Sequence, residues 1–245
     1  MDGPRFYFWP KRLALLLYVG LAYYAAQQAA LPRLPAIVLF VLPLVAIEGA
    51  LRALAASRMR AFNQALTARL QSGDAGTLLP FYQAQRLLRL LAPKHELLAK
   101  LGLIHQRLGQ KEAAATALRE AAEDAPPKVR PAYLLPAAEA LLAAGEAARA
   151  EHYFRQAASM QAGTVQAPLR AARLILARGG DRSEADRFLR AAVAAALPDQ
   201  PCGPLRPELA QLLLELGYPD EARWQLELAR RELGSDGAAA ALPQA

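Results

Sequence analysis

One cysteine, Cys202, stands in a chain of 245 residues, so the sequence cannot build an internal disulfide framework or a four-cysteine zinc site. Asparagine occurs once, at Asn63, histidine three times, and β-branched residues are sparse. No stretch alternates apolar with polar residues, which excludes a sheet with one solvated face. There is no glycine-rich phosphate loop, no His-Glu-x-x-His and no nucleophile elbow. An enzymatic reading therefore finds no constellation to rest on, and no cofactor, metal or small-molecule substrate is expected.

What is present in quantity is Ala, Leu and Arg, in a chain that is 54% hydrophobic. That composition favours helix and excludes disorder, so the fold class expected is all-α. The net charge of +7 is unevenly placed: residues 1–60 hold seven Lys/Arg against Asp2 and Glu48, and the remainder hold 22 against 20. The basic surplus thus belongs to the most apolar part of the chain. "LALLLYVGLAYYAAQQAAL" (13–31) carries no charge, and "LPAIVLFVLPLVAIEGALRALAA" (34–56) carries none before Glu48. A helix needs about 20 mostly apolar residues to cross a bilayer, so two transmembrane helices are expected at about 12–31 and 35–56, joined by a tight turn at "PRLP" (32–35).

Arg5, Lys11 and Arg12 precede the first span and Arg52, Arg58 and Arg60 follow the second, with Arg33 alone in the turn. Positive residues favour the cytoplasmic side, which places both ends there; Tyr7, Trp9, Tyr23 and Tyr24 fall near the interfaces. Three other readings stay open: a cleaved signal peptide, for which "AAQQAALP" is a poor cleavage site; a buried soluble hairpin, which apolar residues on every face disfavour; and a single span. Glu48 lies four residues before Arg52 and is read as its ion-pair partner in preference to an ion-handling group, while Pro43 kinks or tilts the second span. Beyond the anchor (1–57) comes a stalk with capping helices (58–93). There Met59, Phe62, Leu66 and Leu70 form a stripe, "SGDAG" (72–76) stops it, and a second helix is expected from Leu78 to Leu91 before Pro93.

From 94 to 233 a spacing recurs. In "LAKLGLIHQRLGQKEAAATALREAAEDAPP" (98–127) two glycines sit seven apart in an otherwise helical stretch. With His95 first, Leu98, Leu101-Gly102, His105, Gly109, Ala114, Leu118, Ala121 and Pro126 occupy the sites that define a tetratricopeptide repeat, a 34-residue helix-turn-helix. The frame returns from Pro131 with Leu134, Ala137-Ala138, Leu141, Gly145, Ala150, Phe154 and Ala157. It returns from Gln166 with Leu169, Leu176, Gly180, Ala185, Leu189, Ala192 and, one place late, Pro198, and from Gly203 with Leu209-Ala210, Leu213, Gly217, Ala222, Leu226 and Ala229. The starts are 36, 35 and 37 residues apart. The region resembles that family, with Arg173 in place of a small residue and Arg206 in place of a large one. Those two sites put packing of the third and fourth units in question. Small residues at the crossing would let helices A and B approach, and the turn glycine would supply a backbone conformation closed to other residues. Residues 62–93, with Gly76 and Pro93, are expected to form a worn fifth unit capping the stack, and 234–245 a flexible tail.

The resemblance implies an α-solenoid whose A helices line a groove for a peptide or partner helix. Projecting the family's inward positions nominates Ala99, Leu103, Gln106, Arg107, Leu135, Glu139, Leu142, Arg170, Leu174, Arg178 and Gln211, with Arg107, Arg170 and Arg178 as anion contacts. Against that stands the plainer reading that these arginines solvate a helical surface. The family's carboxylate-clamp subtype needs Asn at an inward site, and Asn63 lies outside the repeats. His105 fills an aromatic core site, His152 precedes Tyr153 on a B helix, His95 opens a helix, and Cys202 lies in the loop "LPDQPCGP" as an incidental thiol. Nearly balanced charge in the repeats is no footprint for nucleic acid. The expectation is a membrane-anchored adaptor of a bacterial inner membrane, its N-terminus and repeats cytoplasmic, with a protein partner and the bilayer as contacts. The alternative is a subunit of a larger membrane complex whose hairpin makes the specific contacts.

Overall fold

The computed structural model describes residue 24 and residues 33–73, 75–160, 163–197 and 201–240; of 33–44 and 234–240 it describes the backbone alone. Two units are distinguished, Met1–Ala65 and Leu66–Ala245. All regular structure among the described residues is helical. Helix α1, Arg33–Ser72, runs for 40 residues. Along it Arg52 and Glu48 form the i,i+4 ion pair that their spacing predicts, both exposed. Met59, Phe62 and Leu66 are buried as the stripe requires. The first expected span, 12–31, lies outside the described residues apart from Tyr24, and the second, 35–56, falls within α1. Among the described residues no helix is long and apolar enough to cross a membrane.

After a short 3₁₀ turn at Ala75–Thr77, the helix expected from Leu78 to Leu91 is broken in two. Helix α2, Leu78–Ala84, ends at Gln85, whose φ of −80° and ψ of 55° leave the helical region, and α3, Arg86–Leu91, follows at once. Where the second helix of a worn fifth unit is expected, the chain therefore has pieces of seven and six residues, against a full second helix in the units that follow.

Four helix pairs follow: α4 Lys94–Arg107 with α5 Lys111–Asp124, α6 Pro131–Ala143 with α7 Ala147–Met160, α8 Gln166–Ala177 with α9 Arg182–Ala195, and α10 Leu205–Leu216 with α11 Pro219–Ala240. Each packs against the next in sequence. The reason lies in the stripes: Ala114, Leu118 and Ala121 on α5, or Ala185, Leu189 and Ala192 on α9, are three and four residues apart and all are buried. The last helix continues through Ala240, beyond the boundary expected at 233.

Every A helix closes the same way. The N–H groups of Gln110, Glu146, Gly180 and Tyr218 donate to the carbonyls of His105, Leu141, Ile175 and Leu213, while the glycine just before each donates to the carbonyl three residues back. This is a Schellman closure, which needs a left-handed residue, and Gly109, Gly145, Gly179 and Gly217 supply it with φ between 69° and 92°. In the third unit the left-handed residue is thus Gly179, not Gly180 as the frame predicts, because α8 stops at Ala177, one place early in the frame. The crossing rule holds at Gly102, where an added Cβ would lie 2.5 Å from Leu118 Cγ.

The two arginines at odds with the frame are both accommodated. Arg173 is exposed and bonds Glu208. Arg206 is wholly buried: Nε donates to Glu232 Oε1 at 2.5 Å, Nη1 to Gln225 Oε1 at 2.9 Å and Nη2 to the Leu197 carbonyl at 2.8 Å. The other oxygen of Glu232 accepts from the backbone N–H groups of Cys202 and Gly203, each at 3.0 Å. A buried cation is tolerable when its donors are met in this way, so a guanidinium takes the site of a large apolar residue and stitches the loop before α10 to α11.

Candidate functional site

The nominated groove residues sit where A helices turn a side away from the stack. Leu103, Gln106 and Arg107 are on α4, Leu135, Glu139 and Leu142 on α6, Arg170 and Leu174 on α8 with Arg178 just past its end, and Gln211 on α10. None is buried, although Leu134, Ala137, Ala138 and Leu141 beside them on α6 are. Three and four residue spacing puts the exposed set on one stripe and the core set on another. Ala99, Leu135, Leu142 and Leu174 each keep one side against the core.

Charges on this face are engaged within the protein. Glu139 accepts from Gln166 Nε2 at 2.5 Å, tying α6 to α8. Arg170 and Arg173 both bond Glu208 Oε1 at 2.7 Å, tying α8 to α10. Arg178 turns to the B side and meets Glu151 of α7 at 3.0 Å, in a network where Arg155 bridges Glu151 and Glu184. Of the three arginines proposed as anion contacts, Arg107 alone is exposed with no ion pair among the described residues.

Apart from Gln106 and Arg107, what remains open is apolar. Leu103, Leu135, Leu142 and Leu174 are half-buried, and Leu214 of α10, 54% exposed, extends the row. Leu214 is missed by the projection, yet it occupies the same place in its unit as Leu142 does, twelfth from the start, so the register alone could have found it. A row of leucines with few unpaired charges suits the apolar stripe of an amphipathic helix.

The B helices carry their own rungs. Tyr153 Oη donates to Glu123 at 3.0 Å, Arg155 to Glu184 at 2.7 Å and Arg190 to Glu221 at 2.6 Å, over 30, 29 and 31 residues. Burial, then the Glu123 contact, pushes the Tyr153 hydroxyl up to about 12. Burial also raises the Cys202 thiol, against any role as a nucleophile. His95 stacks edge-on against Tyr133, with ring centroids 5.4 Å apart, and His105, half-buried, donates from Nδ1 to Gln110 Oε1 at 2.6 Å. Among the described residues no group of His, Cys, Asp and Glu is placed to hold a metal.

Residues 95–126 match the family described as tetratricopeptide repeat. Among solved structures, two crystal structures of MamA are similar, one at 14% identity over 67% of this chain and 92% of that one, with a TM-score of 0.52, the other at 14% over 76% and 97%, with 0.53. A MamA AMB-1 crystal form is similar at 15% identity over 76% and 98%, with a TM-score of 0.51. At such identity the likeness concerns the fold. No curated protein matches the sequence.

Proposed function

We propose, from the premise that this chain is a tetratricopeptide-repeat protein, that it is a membrane-held adaptor whose A-helix face receives an amphipathic helical segment of a partner protein. The observation that carries the reading is the leucine row Leu103, Leu135, Leu142, Leu174 and Leu214, which the stack leaves uncovered while pairing most neighbouring charges. The anchor is argued from sequence: two apolar stretches within 13–56, basic residues gathered at their outer ends and a four-residue turn between. Holding a weak binder at a surface raises its effective concentration without new contacts, which gives the anchor a mechanistic role; the positive residues at the ends of the anchor favour the cytoplasmic side for the repeats, and the Ala- and Arg-rich composition suits a bacterial inner membrane.

Arg170 and Arg178 are poor targets for testing this, because each holds the stack together. Leu142→Glu with Leu214→Glu charges the open row without replacing a fully buried side chain. Partner recovery by crosslinking from the native cell should fall by about tenfold, as for loss of a central apolar contact, with the helical circular dichroism unchanged. Equal recovery from variant and parent would remove the A-helix face from the account. Retention of the chain in the membrane fraction after alkaline carbonate washing tests the anchor separately.

A further inference from the structure

Each A helix after the first is covered along one side by the B helix of the unit before it. The fourth, seventh and eleventh places of the frame lie on that side, and of the nine such residues in the later units all but Leu176 are buried. In the second unit they are Leu134, Ala137 and Leu141, and in the fourth Arg206, Leu209 and Leu213, all at most 1% exposed. The equivalent Leu98, Leu101 and His105 of the first unit are half-exposed. Here α4 and α5 leave an open depression of about 400 Å³, with Leu98, Leu101, Ala113 and Ala117 along its floor and Glu112 and Glu120 at its rim.

The depression is uncovered because the segment that should supply the preceding B helix breaks at Gln85. Its second piece, α3, reads RLLRLL and leaves Leu87 and Leu90, 61% and 54% exposed, side by side at a spacing of three, with exposed Arg86 one turn from Leu90. One chain therefore carries both an apolar slot with an acidic rim and a short apolar ridge flanked by a cation, and it does not bring the two together.

The geometry points to a second copy of this chain as the occupant: α3 of one copy seats Leu87 and Leu90 in the depression of the other, and Arg86 meets Glu112 and Glu120. Each copy carries a ridge and a slot, and the exchange proposed is the reciprocal one, in which each ridge fills the other copy's slot and the pair closes as a twofold dimer. The foreign helix takes the place that a preceding B helix takes in the later units. This contact uses the open end of the stack and is independent of the A-helix face.

The test uses the full chain in detergent micelles, with Cys202→Ser to remove the native thiol. Copies carrying Leu87→Cys and one affinity tag are mixed with copies carrying Ala113→Cys and another, then mildly oxidised. A disulfide joining the two tags is the expected result, and a Leu197→Cys copy in place of the Ala113→Cys copy should give none. Leu87→Glu with Leu90→Glu should raise the concentration at which light scattering detects dimer by about tenfold or more. Arg86→Glu copies should recover affinity only when mixed with Glu112→Arg copies. Absence of the two-tag product overturns the proposal. So does a doubly substituted Leu87→Cys, Ala113→Cys chain that closes solely within itself, since α3 would then cover its own depression.

Discussion

Replacing Gly102 by alanine puts the logic of the repeat crossing to a measurable test. Two terms of opposite sign meet at this site. Alanine is favoured over glycine inside a helix by about 1 kcal/mol, and Gly102 lies well inside α4 with an ordinary helical backbone. Against that, the new Cβ would stand 2.5 Å from Leu118 Cγ, 2.9 Å from Cδ2 and 3.3 Å from Cδ1. Carbon atoms in contact prefer about 3.5–4.0 Å, so Leu118 must withdraw by about 1 Å at its branch point, where rotating a methyl gives no relief. Leu118 is 4% exposed and packed in the core shared by the first three units, so it has nowhere easy to go. Overpacking of this kind costs about 1–3 kcal/mol, and the balance is a net loss of about 1 kcal/mol. For a unit of this size that lowers Tm by about 2–4 °C. Thermal unfolding of the full chain followed at 222 nm reads the shift, and the same substitution made in a Leu118→Ala background isolates its cause. With the γ-carbon gone, Gly102→Ala should be neutral or stabilising. A Gly102→Ala chain as stable as its parent, or a loss that persists in the Leu118→Ala background, would refute the claim that glycine is there to admit Leu118.

Two further predictions concern polar groups that link one helix to the next. The Tyr153 hydroxyl, held neutral in the fold up to about 12 by burial and by Glu123, ionises near 10 in the unfolded chain. Because the folded value is the higher, its stabilising contribution is complete below pH 10 and is lost as pH rises from 10 towards 12. Tyr153→Phe should therefore flatten the alkaline fall of the urea midpoint between pH 9 and 11.5, and an unchanged slope would assign the fall to other groups. Arg206→Ala removes one member of a buried network and leaves Glu232 with two backbone donors. The expected loss is about 3 kcal/mol, the lower end for breaking a buried pair, and Arg206→Lys should recover little because an ammonium cannot reach three acceptors set out in a plane. A lysine variant with full stability in urea unfolding would show that charge alone suffices at that place.

Most of the helical plan was legible because repeat packing depends on small side chains at fixed intervals, and intervals are what a sequence displays. Gly102 and Gly109 show how far that goes: one is defined by a neighbour 16 residues away in the adjoining helix and the other by its own φ of 69°, and both follow from the frame. The frame fails where the backbone slips by a single residue. At Gly179-Gly180 either glycine can take the left-handed conformation, and the choice belongs to where α8 ends, which depends on packing and not on residue type. Break points are hidden for the same reason. In "LLPFYQAQRLLRLL" the residues around the break, from Gln83 to Leu88, are all good helix formers, and the non-helical ψ of 55° at Gln85 leaves no mark in composition.

Charged residues were harder to read than apolar ones, since a sequence shows which arginines exist and not which carboxylates reach them. Arg170 and Arg178 looked available for a ligand, but Glu208 lies 38 residues beyond the first and Glu151 lies 27 before the second, distances that become contacts only once neighbouring units are stacked. A regularity does survive: Glu123 to Tyr153, Arg155 to Glu184 and Arg190 to Glu221 are separated by nearly one repeat less a helical turn and a half. Such pairs are partly exposed and individually weak, on the order of 0–1 kcal/mol, so they add little to stability. Their effect is on alignment, because a carboxylate placed about 30 residues from its donor can be reached only when consecutive B helices lie side by side in one register. A partner surface built from several units needs that register more than it needs any single contact, which is why the leucine row can stay uncovered and still be held in line.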